Sequence, residues 1–352
     1  MKEPSGTPLT ARALNRALLA RQHLLDRTDR PLAHAVEDMG GIQMQYAPAG
    51  YLGLWSRLRD FERPMLTRAL EERTLIQATL MRSTIHTVSA ADYWPMLAGI
   101  RRVNREWYTR VQARELAGID PAAAASATRD LLADGPLRMA ELAAGLEARG
   151  FPARTSKLVG LWVDLVRVPP SGTWEQRRAD RYGLAADWVP PTEATEGEGM
   201  ALLVRRYLGA FGPAPLKDIA GWMGMNVGQM RHAAEALELR TLRDVDGRPL
   251  LDLPDAPLPD PETPAPPRFI ATWDAMLLVH ARRTQVLPEA FRPRIFHTKL
   301  PHSMNTFLID GQVAGSWRHE NGEVRLDPFR SLAPEERAAL EEEAHRLAAF
   351  HA

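Results

Sequence analysis

Apolar positions along the chain switch between two spacings, and the switches divide it into units. Residues 10–25, 32–39, 51–58 and 65–72 place apolar side chains three and four apart, as one face of a helix requires, and residues 75–88 then form a run rich in β-formers. A helical stretch, residues 91–116, follows. The order then returns: helical spacing at 127–133, 139–149 and 155–165, and two short strand-like stretches within 166–188, interrupted by Pro169, Pro170 and Gly172. It returns once more with helices at 200–211, 216–223 and 226–237 and a hairpin at 239–253 that turns at Asp246-Gly247. No string of residues repeats; the recurring pattern is helices followed by a hairpin, the winged-helix plan.

Residues 255–267, in PDAPLPDPETPAPP, are too proline-dense for a regular element and read as an extended connector. Beyond them, residues 269–287, 295–297 and 306–318 are rich in β-formers, with turns at Asp310-Gly311 and Asn321-Gly322, and residues 335–350 form a charged helix with an apolar stripe. The expected fold is therefore mainly α with β hairpins, an α+β protein. Its units are a winged helix in residues 1–90, a helical connector in 91–121, winged helices in 122–190 and 199–254, the proline-rich connector, and a small β-rich domain with a terminal helix in 268–352.

One stretch breaks the periodicity in a chemically suggestive way. In Gly40-Gly41-Ile42-Gln43-Met44-Gln45 two neutral amides stand at i and i+2. If the glycines stop the preceding helix, an extended backbone sends Gln43 and Gln45 to one side and Met44, a packing anchor, to the other. Spacing alone also fits ordinary surface amides after a helix cap.

The surrounding segments add to this. GGIQMQYAPAGYLGLWSRL (residues 40–58), RSTIHTVSAADYWPML (82–97), RFIATWDAMLLVHARRTQV (268–286) and TFLIDGQVAGSWR (306–318) occur in this order across nearly the whole chain. Together they resemble a family of bacterial proteins built from tandem winged helices, and within it the AlkZ-type DNA glycosylases. The family's catalytic element, glutamine–apolar–glutamine, maps onto Gln43, Met44 and Gln45 without departure. A related branch carries an acid at the second polar position, so Gln45 points to the glutamine branch.

The resemblance implies an enzyme that cleaves a base from double-stranded DNA, and residue types indicate which base. Glycosidic cleavage builds positive charge on the sugar as the base leaves and water approaches C1′. An ordinary base needs a proton donor behind it, and glutamine cannot be one. A purine alkylated at a ring nitrogen already carries positive charge and departs neutral without an acid. Two glutamines that hold the water and turn carbonyl oxygens to the sugar suit that substrate. Attack by an amine, the route to strand cleavage, needs a lysine, and none lies between Lys2 and Lys157. The expectation is a monofunctional hydrolase that uses no metal or cofactor and acts as a monomer on alkylated purines, including bulky N7-alkylguanines and interstrand crosslinks, in self-resistance or in base excision repair.

Composition limits the alternatives. The chain has no cysteine, which excludes disulfides, thiolate catalysis and cysteine-held metals. No apolar run reaches membrane-spanning length and the first residues carry no secretion-signal core, so a cytoplasmic protein at the bacterial nucleoid is expected. The 44 basic and 44 acidic residues cancel, so DNA binding requires segregated charge. Arginines cluster at 101, 102 and 105, at 177, 178 and 181, at 205 and 206, at 282 and 283, and at 292 and 294, while acids gather at 193–198, 252–262 and 335–343. Candidate DNA contacts are Tyr46, Arg82, His86, Arg177, Arg178, Arg282, Arg283, Arg294, His297 and Lys299.

Each has a plainer reading. Arg82 meets a phosphate or a buried acid, His86 is a hydrogen-bonded core histidine, and Tyr46, Tyr51 and Trp55 stack on a base or build the core. His280, His297 and His302 fit no usual zinc spacing, and Trp273 and Asp274 read as structural. The competing function is a non-enzymatic winged-helix regulator. It has no need of the glutamine pair, and the candidate recognition helix at 226–237 carries few base-reading side chains. Glycosylase action on RNA or nucleotides is the more remote alternative.

Overall fold

The computed structural model describes residues 7–278, 284–296 and 304–352. Helix α1 (Ala11–Arg21) starts where the Thr10 side chain accepts from the Ala13 amide, and α2 (Leu32–Asp38) runs into the two glycines. A two-residue strand β1 (Ile42–Gln43) leads to α3 (Ala47–Trp55) and α4 (Arg63–Glu71), both with proline in the first turn, where a missing N–H costs nothing. Strands β2 (Leu75–Thr79) and β3 (Ile85–Ser89) form a hairpin, after which Ser89 caps the long α5 (Ala90–Val111). Next come α6 (Ala113–Leu116), α7 (Pro121–Leu132), β4 (Leu137–Arg138), α8 (Met139–Ala148), β5 (Leu165–Arg167), β6 (Arg181–Leu184) and α9 (Ala185–Trp188).

A reciprocal Thr195–Glu198 cap opens α10 (Glu196–Phe211), Gly224 in the left-handed region ends α11 (Leu216–Met223), and an Asn226–Gln229 cap opens α12 (Val227–Glu235). Strands β7 (Arg240–Arg243) and β8 (Pro249–Asp252) pair as a hairpin. The C-terminal part holds β9 (Arg268–Ile270), α13 (Arg292–Ile295), β10 (Thr306–Ile309), β11 (Gln312–Glu320), β12 (Glu323–Pro328) and α14 (Pro334–His351). Among the described residues no helix is long and apolar enough to cross a membrane.

The architecture is mainly helical with antiparallel sheets, as expected, and is compatible with a tandem winged-helix plan. One sheet runs β1-β3-β2-β5-β6-β4, so the hairpins of the first two helical stretches join edge to edge through β2 and β5, with Gln77 opposite Arg167. A second sheet runs β12-β11-β10-β9. Its inner face, with Phe269, Phe307 and Trp317, shares a core with Tyr51, Trp55 and Phe61 and with Leu340 and Leu347 of α14.

Three segments depart from their expected elements. Residues 155–165 do not form an α-helix but two 3₁₀ turns, Ala153–Lys157 and Val159–Leu161, before β5. Their apolar side chains are divided between two small cores instead of one face. Among the described residues of the expected β-run at 269–287 only β9 forms, because Asp274 caps a 3₁₀ turn, Ala275–Leu277, its carboxylate accepting from the Met276 amide at 3.0 Å. Ile295, where a β-rich stretch was expected to begin, instead closes the short α13, and His297 lies outside the described residues.

Candidate active site

The two glycines do what the glutamine motif requires. Gly40 and Gly41 have φ of 71° and 85°, which a side-chain-bearing residue rarely adopts, and the Gly41 amide closes α2 on the Val36 carbonyl at 2.9 Å. The chain leaves as β1, with Ile42 opposite Thr87 and Gln43 opposite His86, and the Met44 amide extends the pairing to the Ile85 carbonyl at 2.8 Å. The backbone is thus extended from Ile42 to Met44 and bends at Gln45. Met44 is 1% exposed and its sulfur accepts from the Thr87 hydroxyl at 2.8 Å.

The two amides differ in setting. Gln43 is 6% exposed and its Oε1 accepts from Arg82 Nη2 at 3.1 Å, whereas Gln45 is exposed and its Oε1 accepts from the Ile85 amide at 3.2 Å. Each carbonyl oxygen keeps a second lone pair. Arg82 sits in the turn between β2 and β3 with φ of 52°, and its other arm donates to the Trp222 carbonyl at 2.7 Å, tying the turn to α11. Its hydrogen-bond acceptors among the described residues are therefore an amide and a backbone carbonyl, not a buried acid.

His86 is buried and faces Gln43 across the strand pair. Its Nδ1 lies 3.1 Å from the Thr84 carbonyl, which can only accept, so Nδ1 carries the proton and Nε2 keeps a lone pair. Burial, with Arg82 adding to it, lowers its pKa to about 3, so the ring is neutral at physiological pH.

Residues far away in sequence complete the surroundings. Gln43, Gly41, Arg57, Thr272, Trp273 and Asp274 border a cavity of about 20 Å³, room for one water. Arg57 and Asp274 pair at 3.0 Å, both largely buried. The segment Trp273-Asp274, read from sequence as structural, thus stands beside the motif. Nothing in local spacing announces Arg57, which meets Asp274 across 217 positions.

Of the other candidates, Tyr46 and Arg177 come together: both are exposed, next to Gln45 in the chain or through contact, and Arg177 Nη1 donates to the Tyr46 hydroxyl at 3.1 Å. Tyr51 and Trp55 belong to the core. Arg178 is shared with Asp180 at 3.2 Å, and Arg294 lies 3.8 Å over the Phe329 ring and 3.5 Å from Asp327. Arg282, Arg283, His297 and Lys299, with His280 and His302, lie outside the described residues.

The arginine clusters are less free than their spacing suggests. Arg102 is held by Glu106 at 3.0 Å and Glu196 at 2.8 Å, and Arg206 by Asp92 at 2.7 Å and Glu37 at 3.0 Å. Among the described residues no three His, Asp or Glu side chains gather as metal ligands would.

Comparison with known proteins shows the family. Residues 36–350 match the model of the family described as DNA glycosylase AlkZ-like. An interstrand DNA cross-link repair glycosylase of Streptomyces sahachiroi is 22% identical over 351 residues, covering 94% of this chain and 93% of that protein. The solved structure of the Streptomyces sahachiroi DNA glycosylase AlkZ superposes with a TM-score of 0.81 at 20% identity, over 98% of both chains. A family match over residues 36–350, nearly the whole chain, leads to one assignment: this chain belongs to the AlkZ-like family of DNA glycosylases and is an enzyme.

Proposed function

We propose that the protein removes purines alkylated at a ring nitrogen, N7-alkylguanines above all, from duplex DNA by water attack at C1′, leaving an abasic site in an intact strand. The observation that carries this reading is the chemical neutrality of the motif. Gln43 and Gln45 hydrogen-bond to a guanidinium and a backbone amide, and His86 opposite Gln43 holds no proton to give from Nε2. Such a site supplies no acid to a leaving base, so the base must leave without one. In this reading the free lone pairs of the two glutamine carbonyls accept from the attacking water and face the sugar as it becomes cationic, an electrostatic and positional contribution. Arg82 fixes the rotamer of Gln43, and Tyr46 with Arg177 lies on the exposed side where a strand would pass. Kinship with the Streptomyces sahachiroi cross-link repair enzyme extends the substrate class to bulky adducts and to unhooking crosslinks.

Base release from N7-methylguanine duplexes tests this. Gln43→Ala and Gln45→Ala are each expected to slow release by roughly a hundredfold while duplex affinity stays within about threefold. Uracil and 8-oxoguanine should remain, and borohydride should trap no protein–DNA adduct. Full activity of the double variant, rapid uracil removal, or a trapped adduct would sink the mechanism.

A further inference from the structure

A second cavity, of about 280 Å³ against about 30 Å³ for one water in the liquid, is bordered by Thr79 and Ser83 of the β2–β3 hairpin. Ser83, next in the chain to Arg82, forms part of its wall, together with Thr79 at the end of β2, the side of α5, β5 and the 3₁₀ turns before it. Its charge is one-sided. Arg101, Arg105, Lys157 and Arg167 border it, and among its lining residues only Asp164 is acidic. That carboxylate is already divided, 2.8 Å from Arg101 and 3.6 Å from Arg105.

Arg167 is the unusual member. It is 8% exposed, donates to the Thr79 hydroxyl at 3.0 Å and more weakly to the Tyr182 hydroxyl at 3.5 Å, and its buried Nε has no acceptor. No carboxylate among the described residues forms an ion pair with it, in a chain where most of the arginines discussed above are paired. The Tyr182 ring, its centre 5.1 Å from the Arg167 guanidinium carbon, offsets part of the cost of burying it, but a buried guanidinium without an anion is still costly, and an anion arriving from outside would relieve that cost. Burial also lowers the pKa of both Arg167 and Arg105. Asn104, on the same wall, adds an amide, and Lys157 stands exposed at the rim.

We propose that this cavity receives a backbone phosphate of the DNA strand that the β2–β3 turn engages, with Arg167 as the buried anchor and Lys157 as the rim contact. A phosphate seated there, one residue along the chain from the arginine that holds Gln43, fixes the register of the duplex against the glutamine pair. The proposal rests on the DNA glycosylase reading above, though not on its chemical mechanism.

The test is anisotropy titration of a fluorescein-labelled duplex with a 2′-fluoro-stabilised N7-methylguanine, in which one uncharged methylphosphonate linkage is walked outward along each strand. For the wild-type protein, neutralising one linkage near the lesion is expected to weaken binding about tenfold, the order of one charged contact. Arg167→Gln should bind the unmodified duplex about tenfold more weakly, with a salt slope lower by about one, and lose nothing more at that linkage. Lys157→Gln, a change at an exposed position, should show the same coupling at smaller amplitude and decides the matter if Arg167→Gln does not fold. Linkage effects equally large in wild type and both variants would overturn the proposal. So would competition by inorganic phosphate that is lost in Arg167→Gln without any coupled linkage, since the cavity would then be a small-anion site. Base release by the wild-type enzyme is scored separately: release without coupling removes the phosphate site alone, whereas coupling without release removes the proposed chemistry and leaves the site.

Discussion

At Gln43 the surrounding side chains matter as much as the amide itself. In the proposed chemistry a glutamine is useful only if its rotamer is held; Arg82 hydrogen-bonds Gln43, and His86 opposite remains uncharged. The neutrality of His86 has a measurable consequence for stability. Its pKa in the fold is about 3, below the ordinary 6.5. As pH falls through 6.5 the unfolded chain takes up a proton that the folded chain refuses, so stability is complete above that pH and is lost progressively down to about 3. Between pH 7 and pH 5 the loss from this one group is expected to be about 2 kcal/mol. Urea unfolding of wild type and His86→Gln over that range measures it, and equal pH slopes for the two would show that the histidine does not titrate as its burial requires.

The element-scale feature on which the site depends is the crossing of α5 and α10. The first follows the hairpin that carries Arg82, and the second packs beside the glycine turn, with Arg206 of α10 reaching Asp92 of α5 at 2.7 Å. The two helices touch backbone to backbone: a Cβ added to Gly199 would lie 2.2 Å from the Pro95 carbonyl oxygen and 2.4 Å from the Gly99 nitrogen. Neither atom can yield by a rotamer change. Gly199→Ala is therefore expected to cost at least about 3 kcal/mol, the upper range of overpacking. Gly197→Ala, two positions earlier with nothing within 4 Å, should be neutral or slightly stabilising, as helix propensity favours alanine. Equal denaturation midpoints for the two variants would mean that the helices part without cost.

Across the whole molecule the 44 positive and 44 negative side chains cancel, and many arginines are engaged in internal pairs. Zero net charge makes long-range attraction of DNA weak, so the proposed local contacts, Arg177 and the cavity around Arg167, are expected to carry the affinity. The logarithm of affinity against the logarithm of salt should fall with a slope of about −4, that of a handful of phosphates, and should vary little with base sequence. Anisotropy at several salt concentrations reads both. A slope near zero, or a preference of about a thousandfold for one sequence, would contradict this account.

Much of the secondary structure was legible because its causes are local. Helix Leu216–Met223 was bounded to the residue by apolar spacing and by the glycine that follows, and the hairpin of β7 and β8 by the Asp246-Gly247 turn. Where apolar residues serve two cores at once, as at 155–165, that spacing misled. Gln43, Met44 and Gln45 stood out because two amides and two glycines lie within six consecutive residues. Sequence alone determined that motif and the absence of cysteine chemistry. Only the tertiary structure decided that Gln43 is buried against Arg82 while Gln45 is exposed, that Arg57 and Asp274 border the same small cavity as Gln43, and that Arg167 has no ion-pair partner among the described residues. Those facts depend on strand pairing and packing between segments up to 217 positions apart, and no local spacing encodes which distant side chain arrives.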